Sequence, residues 1–319
     1  MLIEVKNVTK KYGHFVAVKD LNFKINDGEI IGLLGPNGAG KSTTMNMMTG
    51  FIEATEGKIL INGNDISKKS KEAKKQIGYM PESVPLYYDL TVKEFINYMA
   101  ELKYVPKKER NVKIQEVIEK VGLEDVKNRL IKNLSRGYKQ RVSLAGAIVG
   151  EPKILILDEP TVGLDPKQIV EVRDLIKSLG KKHTVILSSH ILSEISQICD
   201  KVIIIINKGK IVAIDTPSNL ENIVNSNNSI IVTVEDKEQK MLSLKQKYQE
   251  ISDIKLMKDN EDGTKQYCIY PNGEIDLRKT LFDILPKENI TIFELKKSEA
   301  TLEDAFIDLI NKNTEGGED

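Results

Sequence analysis

Cysteine is scarce in this chain: only Cys199 and Cys268 are present. Two thiols that far apart offer neither metal-ligand spacing nor a disulfide framework, so a reduced, cytosolic compartment is expected. Neither sign of charge is in excess, with 47 Lys plus Arg against 47 Asp plus Glu. That argues against nucleic acid as a partner, because such binding leans on clustered positive charge that displaces counterions from phosphates. Long hydrophobic runs are missing as well. The longest, VIIII at 202–206, is far shorter than the roughly 20 residues of a membrane helix, so the chain is not expected to span a bilayer. The opening MLIEVKNVTKKYG lacks the basic start, apolar stretch and cleavage site of a signal peptide. No internal repeat and no low-complexity tract interrupts the rest.

What is present is an ordinary globular mixture, 40% hydrophobic and 29% charged over 319 residues. That length suggests two domains at roughly 100–200 residues each. Short apolar runs read as buried strands: IIGLL (30–34), ILIL (154–157), TVIL (184–187) and VIIII (202–206). Helix-like stretches alternate with them, which predicts an α/β layer with a largely parallel sheet. Between about 88 and 145 the pattern changes. Val92, Phe95, Ile96 and Met99 repeat at helical spacing, as do Ile114, Val117, Ile118 and Val121, so a helical subdomain is expected there. The polar stretch NSNNS (225–229) reads as a linker, dividing a domain at 1–222 from one at 229–319. Beyond it the pattern predicts a strand at 230–234, a helix at 236–249 and two strands flanking NEDG. A helix at 275–285, a strand at 291–295 and a helix at 301–311 complete it. That order approximates a split βαβ unit, a small α+β domain.

GPNGAGKST (35–43) matches G-x-x-x-x-G-K-[ST], after a strand and before a helix-like run. Gly35, Gly38 and Gly40 let backbone N–H groups turn inward as an anion nest. Lys41 can reach the outer phosphates and the Ser42 hydroxyl can ligate magnesium. Pro36, Asn37, Ala39 and Thr43 complete the cradle, and the helix N-terminus adds positive potential. ILILDEP then puts Asp158 and Glu159 at the end of a buried strand. Asp158 is expected to hold Mg²⁺ beside the phosphates. Glu159 is placed to polarise a water on the γ-phosphate.

NLSRGYKQR (133–141) carries three cations around a tyrosine. Read alone it fits either a nucleic-acid patch or an ordinary solvated helix. The order GPNGAGKST, LSRGY, ILILDE, GLDP, SSH over about residues 1–220 resembles the ATP-binding cassette family of transporter ATPases. In that family the signature opens a helix whose N-terminus caps the γ-phosphate of ATP held by another subunit. The resemblance gives that part to Ser135, for its hydroxyl, and to Gly137, for close backbone approach. Arg136 and Tyr138 depart from the family's usual glycine and glutamine. Lys139 and Arg141 are then expected on a solvated or interdomain helix face.

The resemblance assigns further roles. Tyr12 resembles the aromatic that stacks on adenine, Asp165 the acid that signals across the dimer, and His190 the histidine that contacts the γ-phosphate. Glu82 stands where the family usually has glutamine; it can reach Mg²⁺ but cannot donate a hydrogen bond when ionised. The implied protein is an ATP-hydrolysing subunit that dimerises and drives a separate membrane permease, peripheral on the inner face of the membrane. The ending SEATLEDAFIDLI resembles the appended domain of export-type systems. A soluble cassette acting on ribosomes or DNA is the rival, but those usually carry two cassettes, coiled-coil arms or zinc cysteines. A non-hydrolysing regulator is another, opposed by intact Glu159 and His190.

Overall fold

A computed structural model describes residues 1–83, 85–220, 229–236, 240–260, 263–273 and 275–297. The chain divides into two compact units, Met1–Pro217 and Ser218–Asp319.

In the first unit, β1 (Ile3–Tyr12) and β2 (Phe15–Ile25) form a hairpin, followed by β3 (Ile30–Leu34) and α1 (Lys41–Met48). Then come β4 (Glu56–Ile61), β5 (Asn64–Asp65), α2 (Ser70–Lys74) and β6 (Ile77–Met80). The helical stretch holds α3 (Val92–Leu102), α4 (Lys107–Lys120) and α5 (Arg136–Ile148). The unit closes with β7 (Ile154–Leu157), α6 (Pro166–Gly180), β8 (Thr184–Ser189), α7 (Leu192–Ser196), β9 (Lys201–Ile206) and β10 (Lys210–Asp215).

A six-stranded sheet of order β10-β9-β3-β8-β7-β6 is the spine; all neighbours are parallel except the antiparallel edge strand β10. Every residue of β3, β7 and β8 is buried, as strands covered on both faces require. A second, antiparallel sheet runs β2-β1-β4-β5. One core joins Val5, Val18 and Leu21 of that sheet to Ile31, Ile156 and Ile186 of the first, with Met45, Met47 and Met48 of α1 between. Each side chain of this size removed from water contributes about 1.5–3 kcal/mol.

The expected helices around 90–130 are α3 and α4. Thr91 and Glu94 start α3 with reciprocal capping bonds, and Phe95, Ile96 and Ala100 bury one face. On α4, Ile114, Val117 and Ile118 do the same.

The second unit is a four-stranded antiparallel sheet of order β12-β13-β11-β14. Its elements are β11 (Ile230–Glu235), α8 (Leu244–Lys247), β12 (Ile251–Asp259), β13 (Lys265–Pro271), α9 (Arg278–Ile284) and β14 (Thr291–Lys297). That is the split βαβ order. The helix anticipated over 236–249 is much shorter than its pattern. The Asp236 carboxylate accepts from the N–H groups of Lys240 and Met241, a 3₁₀ turn follows, and Tyr248 is already extended toward β12. Tyr267 donates to the same carboxylate at 2.9 Å. Burial, then that bond, push the Tyr267 hydroxyl far above the ordinary tyrosine range. The helix anticipated at 301–311 and most of the linker at 225–229 lie outside the described residues.

His183, just before β8, is buried with Nδ1 2.6 Å from the carbonyl of Pro152. An acceptor carbonyl requires the proton on Nδ1. Burial lowers its pKa below the ordinary histidine value, outweighing the hydrogen bond to Pro152. A lowered folded pKa means the unfolded chain takes up the proton first, so stability is full above the unfolded value and falls as pH drops through the folded one. Denaturant melts from about pH 7 to pH 5 are expected to show that loss, and His183→Gln to flatten it; equal slopes in both proteins would contradict this.

Candidate active site

The site is made at the carboxyl ends of three adjacent strands. Parallel pairing sets Leu34 against Ser189 and Leu157 against Leu187. The loop after β3, the pair Asp158–Glu159 after β7 and the residues after β8 therefore emerge side by side.

Gly35 is required by packing: a Cβ there would lie 2.2 Å from the Ile205 carbonyl oxygen. Gly38 (φ 81°) and Gly40 (φ 102°) take left-handed backbone that carries the loop into α1. Ala39 is buried, with its carbonyl accepting from the N–H of Gly209. The loop is thus tied to the sheet before it meets any ligand.

Lys41 is buried. Its ammonium donates to the carbonyls of Gly35 (2.7 Å) and Pro36 (3.3 Å) and lies 3.5 Å from Glu159 Oε1. The other Glu159 oxygen is 3.0 Å from His190 Nδ1. An ionised carboxylate only accepts, so that imidazole nitrogen carries the proton. Glu159 itself sits at φ 47°, a left-handed position uncommon outside glycine, and its N–H donates to the Ser188 hydroxyl at 2.8 Å. Backbone held this way is a recurring feature of functional positions.

Asp158 is buried and accepts from Ser188 at 2.6 Å and from Ser42 at 3.3 Å. Nearby, Tyr79 donates to Asn46 of α1 at 2.9 Å. Burial, then the Asp158 charge, push the Tyr79 hydroxyl up to about 12, so it stays a donor.

A cavity of about 480 Å³ gathers Pro36, Asn37, Gly38, Gly40, Lys41, Ser42 and Thr43 with Glu82, Glu159 and His190. Its aromatic wall is Phe15, beside Ala17 and Val162. Tyr12 pairs with Phe15 across the hairpin, is half exposed, and has the Lys10 ammonium 4.9 Å from its ring centre. Among the residues here that escaped sequence reasoning are Phe15, Ala17 and Ser188. Phe15 and Ala17 could have been found from their alternation along β2. Ser188 could have been found only from the register of β8 against β7.

Ser135 and Gly137 are elsewhere. With Asp165 they line a second cavity of about 320 Å³, which shares no residue with the first. Ser135 caps α5, accepting from the N–H of Tyr138 at 3.5 Å, a long bond that leaves the hydroxyl lightly engaged. A Cβ on Gly137 would lie 2.5 Å from the Gln168 side chain. Asp165 caps α6 by accepting from the N–H of Gln168 at 3.0 Å.

Two of the three cations of NLSRGYKQR, Lys139 and Arg141, are engaged inside the chain. Arg136 packs on Gly163, where a Cβ would come within 2.1 Å of its guanidinium carbon. Lys139 lies 5.4 Å from the Tyr88 ring centre, and Arg141 binds Glu171 and the Val121 carbonyl. Tyr138 donates to Asp125 at 2.8 Å.

A third cavity, about 400 Å³ and mostly apolar, lies between the loop carrying Glu82 and α3, with Tyr79, Pro81, Tyr87, Phe95 and Tyr98 in its walls. No described helix is long and apolar enough to cross a membrane.

A phosphate loop, an acidic pair at a strand end and a histidine on that pair define a phosphate-loop nucleotide hydrolase. Comparison with known proteins narrows the class. The ABC transporter family model matches residues 18–162. The chain is 37% identical to the ABC transporter ATP-binding protein YhcH of Bacillus subtilis (strain 168), over 98% of this chain and 97% of that protein. It is 36% identical to the bacitracin transport ATP-binding protein BcrA of Bacillus licheniformis, over 99% of each. A dimeric ATP-binding cassette, solved after hydrolysis with ADP and phosphate bound, aligns with a TM-score of 0.62 at 28% identity. That alignment spans 68% of this chain and 99% of that one. The chain belongs to the ATP-binding proteins of ABC transporters, and it is an ATPase.

Two substitutions separate binding from chemistry. Lys41→Ala is expected to abolish hydrolysis by removing phosphate charge compensation. Glu159→Gln keeps the shape of the site but removes its carboxylate, so ATP binding is expected to persist while turnover falls by about 100-fold or more. Nucleotide binding and phosphate release measured on both variants check this; a Glu159→Gln protein that turns over normally would remove Glu159 from the reaction.

Proposed function

We propose that the chain powers a separate membrane permease for export, working as a dimer that encloses ATP between one protomer's phosphate loop and the other's signature helix. One observation carries the reading: Lys41, Glu159 and His190 share one cavity, while Ser135 and Gly137 line another with no residue in common. A single chain therefore holds two halves of different sites, and a two-fold interface is the arrangement that completes both. Export draws on the relative named for bacitracin transport.

In this reading the loop amides and Lys41 bind the triphosphate. Phe15 offers the nucleobase a flat wall from within the cavity, with Tyr12 behind it on the hairpin. Magnesium fits the oxygens present, because Ser42 and Asp158 already meet beside the phosphate loop and this ion keeps few protein ligands. Ser42 and Asp158 would hold it, with Glu82 within the same cavity, and the ion would neutralise phosphate charge. Glu159 accepts a proton from the attacking water. His190 orients that carboxylate through Nδ1 and faces the γ-phosphate region. The partner's Ser135 hydroxyl and Gly137 N–H cover the γ-phosphate, and Asp165 lies beside them to report across the interface. The apolar cavity beside Glu82 takes a segment of the permease, which puts that contact one loop away from the reacting phosphate.

Ser135→Arg tests the shared site. It puts bulk and charge where the partner's phosphate docks. The expected outcome is ATP binding unchanged in the monomer, with MgATP-dependent dimerisation and turnover lost; equal loss of monomer binding would show that Ser135 does not act across a dimer.

The second unit contains none of the nucleotide residues, and we assign it to regulation, dimer stabilisation or permease contact. Residues 1–225 alone are expected to fold and bind MgATP. A ligand at about 100 times its dissociation constant adds roughly 2.7 kcal/mol to a competent fold. An insoluble fragment, or a melt that MgATP does not raise, would contradict that assignment.

A further inference from the structure

The segment from Ile66 to Gln76 carries five lysines, Lys68, Lys69, Lys71, Lys74 and Lys75, against one acid, Glu72. All five are exposed, and none forms an ion pair with a described residue. Some lysines elsewhere on this unit are neutralised by neighbours, as in Lys11–Glu56, Lys113–Glu151 and Lys201–Glu29. In a chain of zero net charge, this concentration on and around α2 is a local departure.

Two aromatics stand with it. The ammoniums of Lys71 and Lys75 lie 5.6 and 5.4 Å from the ring centre of Tyr104. Lys74 lies against Gly50, and the next residue, Phe51, is 77% exposed. Tyr104 is 67% exposed and occupies an unfavourable position. It follows α3 at φ 59°, with its N–H bonded to the Glu101 carbonyl and that of Val105 to Ala100. This is the helix stop at which glycine is the usual residue. Helix α4 ends with the same bonds and does have glycine there, Gly122 at φ 66°. An exposed tyrosine in left-handed backbone recovers little by burial; within the chain its ring meets only the two ammoniums among these contacts.

We propose that this face, Lys68 to Lys75 with Tyr104 and Phe51, docks on an anionic lipid surface. It rests on the reading above that the chain works beside a membrane permease. Clusters of four to eight cations next to a membrane-bound partner attract acidic headgroups. Tyrosine suits the headgroup level, with an apolar ring and a polar tip. A single-stranded nucleic acid fits less well, because it needs a row of open aromatic faces for successive bases. Here one ring is already engaged by two ammoniums.

The experiment sediments the full-length protein with vesicles of phosphatidylcholine alone, or of phosphatidylcholine mixed with phosphatidylglycerol. Binding to the mixed vesicles only is expected, weakening with salt because exposed charges are screened over about 10 Å at 0.1 M. Combining Lys68→Glu, Lys71→Glu and Lys75→Glu lowers partition on the order of 100-fold. The same reversal at Lys177, Lys181 and Lys182, exposed at the carboxyl end of α6, leaves it unchanged. Tyr104→Gly weakens vesicle binding without lowering the melting temperature. Equal sedimentation of the patch variant and the wild type overturns the proposal. So does equal binding to neutral vesicles, or tighter binding to a single-stranded RNA at the same salt. ATPase activity in solution is measured on every protein. Vesicle binding that fails while ATPase activity persists removes the lipid surface alone, whereas a wild type without ATPase activity removes the functional reading beneath it.

Discussion

The Ser188 hydroxyl donates to Asp158 at 2.6 Å and accepts from the N–H of Glu159 at 2.8 Å, joining β8 to β7 where the apolar strands end and the acids begin. Both acids are buried, and a buried carboxylate is tolerated only when its oxygens are satisfied. Ser188 and Ser42 satisfy Asp158; Lys41 and His190 satisfy Glu159. Removing any one leaves another charge without its partner, which costs more than the lost bond alone. The phosphate loop, the acids and the histidine therefore form one electrostatic unit held by the parallel register of three strands.

Helix α5 is built to a different end. Two of its cations, which by themselves suggested a polyanion, are engaged inside the chain, Lys139 on Tyr88 and Arg141 on Val121 and Glu171. Its first residues are left open, with Ser135 loosely capping and Gly137 without a side chain. Gln140 ties the helix to the acidic loop by donating to the Pro160 carbonyl at 2.8 Å. The loop Pro160–Asp165 thus runs from one cavity to the other, Val162 lining the first and Asp165 the second. The two cavities are thereby joined through continuous covalent chain.

Local pattern determined much of this. Nine consecutive residues suffice to make an anion nest, because the dihedral freedom of Gly38 and Gly40 and the reach of Lys41 are properties of those residues and their immediate neighbours. The runs IIGLL and ILIL were legible as buried strands for the same reason, since only a strand covered on both faces is apolar throughout. The split βαβ order of the second unit followed from alternation alone. Its first helix did not, because a helical period cannot report that Asp236 claims the amides of Lys240 and Met241, or that Tyr248 turns out toward β12.

Tertiary structure decided what depends on register and on distance across the fold. Ser188 looks like any strand-end serine until the pairing of Leu157 with Leu187 sets it beside Asp158. Ser42 and Asp158 meet because β3 and β7 flank β8 in the sheet, a relation that no spacing within either motif expresses. The assignment of Ser135 and Lys41 to separate cavities is likewise absent from the linear order, in which they are simply two motifs of one chain. Sequence determines which groups can do the chemistry, through residue type and nearest neighbours. Only the packed sheet decides which of them meet, because contact between residues more than a hundred positions apart is set by strand order and parallel register.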